Sequence, residues 1–203
     1  MCHAIPDVSR PLDRRAWLGG ALIAPLLGTT TPVFSAAADM TLTFRGMSYL
    51  HRWSSRGQHE FTPAADADLA RWRDMLTLNV HDKVLQGEQL ADVANAVLGN
   101  YQRHGKLLQT RSTPRTAERP AQHFIAAVLG TREFLEAVFA RCLMHEGTGL
   151  VAVVSHRVYG SAAGPEMSTW LGTHGPQVDE ALMGWAQLPR LDSLKRLPAS
   201  AAR

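Results

Sequence analysis

Eight histidines lie beyond residue 38: His51, His59, His81, His104, His123, His145, His156 and His174. Imidazoles in that number raise the question of a metal centre or an acid–base site. Their spacing does not supply one. No pair has the i, i+4 separation that sets two ligands on one helix face, as in H-E-x-x-H. Cys142 and His145 are three apart on an expected strand and point to opposite faces. His145 and His156 share a face, but His156 lies six residues beyond Leu150, on the order of 20 Å along the strand. No metal site is expected, and no cofactor is assigned.

Two other groupings carry chemistry. Thr110-Arg111-Ser112-Thr113-Pro114-Arg115-Thr116, followed by Arg119 and His123, gathers guanidinium forks and hydroxyls, which suit a carboxylate or phosphate. Glu118 offsets part of that charge, and the competing reading is a solvated basic loop. Ser155-His156-Arg157-Val158-Tyr159-Gly160 runs off the end of an expected strand into a glycine-rich loop, where ligand contacts are common. Ser155 and His156 face opposite ways and form no nucleophile–base pair. Arg111, Arg115, Arg119, His123, His156, Arg157 and Tyr159 are therefore the candidate ligand-binding residues. No catalytic residue is assigned, because nucleophile elbow, phosphate loop and dinucleotide fingerprint are all missing.

The elements that must position these residues follow from periodicity. Thr41–Trp53 reads as one strand kinked at Gly46, Ser54–Gly57 as a turn, and His59–Thr62 as a short returning strand. Asp66–Trp72 is expected as a short helix and Met75–His81 as a strand. From Glu88 to His104, Leu90, Val93, Ala94, Val97, Leu98 and Tyr101 recur at helical spacing, with Gly105 as the stop. Lys106–Thr113 and Gln122–Leu129 read as strands. Phe134–His145 and Leu150–Tyr159 form a hairpin, with the turn expected at Gly147-Thr148 and His145 opposite Leu150. One face then carries Val138, Ala140, Cys142, Met144, Val151 and Val153. The other carries Phe139, Arg141, Leu143, His145, Leu150, Ala152, Val154 and His156. Two short helices are expected, Gly164–His174 and another opening at Pro176. The fold class is α+β: a single domain with an antiparallel sheet of about six to seven strands and helices packed against it.

The chain has 203 residues, 45% hydrophobic and 19% charged, which suits one globular domain. Asp13-Arg14-Arg15-Ala16-Trp17-Leu18, a charge-free stretch diluted by Gly, Thr and Pro, and Ala36-Ala37-Ala38 resemble a twin-arginine translocation signal. That resemblance implies export of a folded protein and cleavage near Ala38, with a periplasmic product. The apolar run is broken at Pro25 and Thr29–Thr31, short of a membrane span, so no stable membrane insertion is expected after cleavage. The expected division is a signal peptide over 1–38, a globular domain over 39–188 and a flexible tail over 189–203. Beyond residue 38 there remain 18 basic and 16 acidic side chains, too small an excess to grip nucleic acid. Cys142 is then the lone cysteine and is expected to be buried and inert.

Small size, export and the lack of a catalytic signature point to a periplasmic binding or accessory protein without catalytic activity. Its expected partner is a periplasmic protein or a small anionic ligand. The alternative is a small exported metal-binding protein or hydrolase using His123, His145 or His156 near the sheet end.

Overall fold

The computed structural model describes residues 40–200. The leader resembling a twin-arginine signal and its boundary at Ala38 lie outside the described residues, as do residues 201–203. Eight strands form one antiparallel sheet. They are β1 (Thr41–Phe44), β2 (Met47–Ser55), β3 (Gln58–Thr62), β4 (Asp74–His81), β5 (Gly105–Thr113), β6 (Gln122–Gly130), β7 (Phe134–His145) and β8 (Thr148–Tyr159). Helix α1 (Gly87–His104) joins β4 to β5; α2 (Ala163–Met183) and α3 (Leu191–Lys195) follow β8. The strand order is β1-β2-β3-β4-β8-β7-β6-β5. Two meanders, β1 to β4 and β5 to β8, thus meet where β4 pairs with β8.

The fold class is α+β as expected, with one strand more than the upper expectation. The extra strand comes from Thr41–Trp53, which is not one kinked strand. Arg45 and Gly46 have φ of 49° and 77°, two successive left-handed residues that fold the segment into the β1–β2 hairpin. Arg56-Gly57 makes the same turn before β3, and Glu146-Gly147 makes it between β7 and β8, with φ of 46° and 77°. That last turn lies one position before the expected Gly147-Thr148. His145 therefore pairs with Thr148, and Leu143 with Leu150. The register differs from the expected one by two residues. Side chains alternate with a period of two, so every residue keeps its expected face.

Both faces of the central strands are covered. Leu90, Ala94 and Tyr101 of α1 pack on Ile125, Ala127, Val138, Ala140, Cys142 and Val151. Met167, Val178 and Leu182 of α2 pack on the opposite face, with Phe139, Leu143, Leu150, Ala152 and Val154. Apolar residues on both faces of β7 and β8 are what a three-layer arrangement requires. Between α1 and β5 the chain turns at Gly105, where a Cβ atom would lie 2.1 Å from the Val128 carbonyl oxygen. Only glycine fits so close to β6 at this point.

Three further expectations are corrected. Asp66–Trp72 is a series of turns, not a helix. The two closing helices are one, with Pro176 inside α2. Ala163, Met167, Gly175, Val178 and Leu182 form a single buried stripe through the proline. Burial on both sides of Pro176 outweighs the one backbone hydrogen bond it removes. Residues 191–195, expected within a tail, form α3 with Leu191 and Leu194 buried. The hairpin end holds this segment down. His145 Nε2 donates to the Pro189 carbonyl at 3.0 Å, and Glu146 accepts the Leu191 N–H at 2.9 Å. Further on, Ser200 N–H donates to the Ser54 carbonyl at 2.7 Å.

Candidate functional site

Asp74 opens β4, and His156 lies three residues from the end of β8; antiparallel pairing sets them opposite one another. Residues 63–73, which enter β4, and the turn that leaves β8 for α2 therefore diverge from the same end of the sheet. A cavity of about 500 Å³ lies between them. Its sheet wall is His156, Arg157, Val158 and Tyr159; Asp66, Arg71, Trp72 and Arg73 form a second wall; Glu166 and Trp170 of α2 form the third.

His156 is held on two sides. Its Nδ1 lies 2.9 Å from Asp74 Oδ1. An ionised carboxylate only accepts, so Nδ1 carries a proton and donates it in this contact. The imidazole also stacks on Trp170, with ring centroids 4.1 Å apart and planes 2° from parallel. His156, which lines the cavity, is thus held in one orientation. Asp74 in turn accompanies Asp66, whose Oδ2 accepts the Asp74 N–H at 3.0 Å. Nearby Tyr49 is buried, and its phenol is pushed well above the ordinary range. Burial is the main cause, and the Asp74 carboxylate adds to it.

Arg157 and Tyr159, paired with His156 in the sequence reading, line the same cavity but are already engaged. The Arg157 guanidinium carbon sits 3.9 Å from the Trp72 ring centroid and 4.0 Å from that of Phe134. Its Nε donates to Glu136 at 2.7 Å. This sandwich is well placed for cation–π attraction and an ion pair at once. Tyr159 donates its hydroxyl to the Trp72 carbonyl at 2.8 Å. Together they pin Trp72 and so fix the wall that carries Arg71 and Arg73. The Arg71 guanidinium lies 5.0 Å over the Tyr159 ring. Arg73 forms no ion pair among the described residues.

The arginine-rich loop is elsewhere. β5 is three positions from β8 in the sheet, so Arg111, Arg115, Arg119 and His123 do not join the His156 cavity. Arg111 makes two hydrogen bonds to Asp179 of α2, at 2.9 and 2.6 Å, and lies over Phe124. Arg115 is 4.0 Å from Glu88 with both side chains 81% exposed, a pair of little energetic consequence. Arg119 contributes its backbone N–H to Thr116 in an exposed turn. His123 Nδ1 meets Ser112 Oγ at 2.8 Å. Its Nε2 is buried with no partner among the described residues, and burial lowers the pKa of the ring.

Sequence reasoning missed Asp66, Arg71, Trp72, Arg73, Asp74, Glu166 and Trp170. The run Arg71-Trp72-Arg73-Asp74, two guanidiniums around an indole before a carboxylate, is the local signal. Its link to His156, 82 residues away, has no sequence signature. Among the described residues no three His, Cys, Asp or Glu side chains converge as a metal site, and no helix is long and apolar enough to cross a membrane. The fold and site define an α+β protein with a carboxylate-held histidine in a cavity at the junction of two meanders. No protein-family model matches this chain, and no curated protein matches it.

Proposed function

We propose that this chain is a periplasmic binding protein that takes a small anionic ligand into the cavity at the β4–β8 end. The observation that carries this reading is the presence in the cavity lining of two guanidiniums, Arg71 and Arg73, which have no carboxylate partner among the described residues. A volume of about 500 Å³ lies in the range of small-molecule sites. Aromatic walls with a few convergent polar groups are the usual makeup of such sites. Guanidiniums recognise carboxylate or phosphate by parallel hydrogen bonds. The test is calorimetric titration of the exported protein with inorganic phosphate and with small carboxylates. Saturable binding that weakens at least about tenfold in Arg73→Gln is expected for one loss of a charge-assisted contact. Failure of every anion to bind overturns the reading.

Export is supported by Arg14-Arg15 ahead of the diluted apolar stretch. Replacing both arginines by lysine should hold the full-length chain in the cytoplasm; an unchanged periplasmic yield would refute this route.

The Asp74–His156 contact also favours a second reading, a small hydrolase with His156 as general base acting on water. Ser155, the adjacent hydroxyl, pairs with Met75 and points away from His156. Turnover of simple esters or phosphate esters, lost in His156→Ala, would establish this reading over the binding one.

A further inference from the structure

The cavity holds charges of both signs that do not neutralise each other. Arg71 and Arg73 belong to the segment entering β4. Glu166 belongs to the first turn of α2, on the facing wall. None of the ion pairs among the described residues joins Arg71 or Arg73 to Glu166 or Asp66. The two guanidiniums and the Glu166 carboxylate lie on different walls of the cavity.

The acidic pole can be placed. Glu166 and Trp170 are four apart on α2 and therefore neighbours on one face. Trp170 stacks on His156. Glu166 thus stands one helical turn from Trp170, in the cavity lining, and its carboxylate makes no hydrogen bond or ion pair with the described residues. In the neutral ring, with Nδ1–H committed to Asp74, His156 Nε2 is an acceptor. A carboxylate and a fixed lone pair at one pole ask for a group rich in N–H donors and positive charge. Two guanidiniums at the other pole ask for a carboxylate.

We infer that the ligand of this cavity is a zwitterion of amino-acid to dipeptide size, its carboxylate held by Arg71 and Arg73 and its ammonium group by Glu166 and His156 Nε2. This rests on the anion-binding reading and narrows it. A zwitterion satisfies both poles at once, whereas a singly charged ligand satisfies one.

The test is thermal shift and calorimetry on the exported protein with three matched sets of probes. These are the common L-amino acids with dialanine, their N-acetyl derivatives, which keep only the anion, and their methyl esters, which keep only the cation. At least one free zwitterion should bind about tenfold or more tighter than both of its blocked forms, the value of one charge-assisted contact. Glu166→Gln should erase the preference over the N-acetyl form while leaving anion binding in place, and the melting temperature without ligand should stay near that of the wild type. If N-acetyl forms bind as tightly as free ones, the zwitterion inference falls and the anion-binding reading stands. If only the esters bind, or no probe in any set binds, the inference falls. In the first of those cases the anion reading falls with it, and in the second its fate is decided by the phosphate and carboxylate titration.

Discussion

The imidazole of His156 lies flat on the indole of Trp170, 2° from parallel at 4.1 Å between centroids, while Asp74 accepts a hydrogen bond from its Nδ1. A strand residue and a helix residue thereby fix one another, and α2 is keyed to the sheet at the cavity rather than only through its apolar stripe. Removing the indole should free the ring. Trp170→Leu keeps apolar contact with Phe139 but loses the stack, which should cost about 1 kcal/mol of stability by urea unfolding. Zwitterion binding should weaken more than stability alone explains. Unchanged affinity would mean that the orientation of His156 does not matter to the ligand.

Arg157 should behave as a structural residue although it lines the cavity. Its guanidinium is stacked between Trp72 and Phe134 and bonded to Glu136, with side-chain exposures of 15% and 13% for the ion pair. Arg157→Met leaves Glu136 largely desolvated without its partner and should cost about 2 kcal/mol or more. Arg157→Lys restores charge but not the planar stack, and should recover only part of that loss. Chemical denaturation of both variants checks the order; equal stability of Lys and Arg would remove the sandwich from the account.

Cys142 is fully buried under α1, and burial pushes its thiol up to about 12. Only the thiolate reacts, so a thiol reagent at neutral pH should label the native chain very slowly and the urea-unfolded chain at once. Fast labelling of the folded protein would mean that α1 opens readily from the sheet.

Much of the fold could be read from the sequence, and the reasons are local. Alternation in Phe134–His145 and Leu150–Tyr159 and the helical stripe from Leu90 to Tyr101 each encode an element without help from distant residues. Where local signals were weak, tertiary packing decided. Arg45-Gly46 turns the chain because two left-handed residues close a hairpin. Pro176 stays helical because residues on both sides of it are buried on the sheet. The site was legible only in part, as His156, Arg157 and Tyr159. Its other half lies across the β4–β8 junction, and pairing of residues 82 apart leaves no periodicity to find. The arginine-rich loop drew attention by composition, yet its best-placed member, Arg111, is tied to Asp179.

Three histidines should make the fold sensitive to mild acid. Burial lowers the pKa of His59, His81 and His123; for His59 the neighbouring His51 adds to the effect. His59 is 6% exposed, and its Nδ1 meets Ser54 Oγ at 2.8 Å beside His51 Nε2, 2.7 Å from the same hydroxyl. In the folded state these rings stay neutral to lower pH than in the unfolded chain, where histidine titrates near about 6.5. Below that value the unfolded state binds more protons, so stability falls as pH falls. The contribution is fully present above about pH 6.5 and is lost progressively down through the folded-state values. Melting temperature should therefore be flat from about pH 8 to 7 and drop toward pH 5. His59→Asn retains a hydrogen-bonding group near the Nδ1 position and cannot take up a proton. It should lower the melting temperature at neutral pH and also reduce the slope between pH 7 and 5. A variant with the wild-type slope would show that His59 does not carry this acid sensitivity.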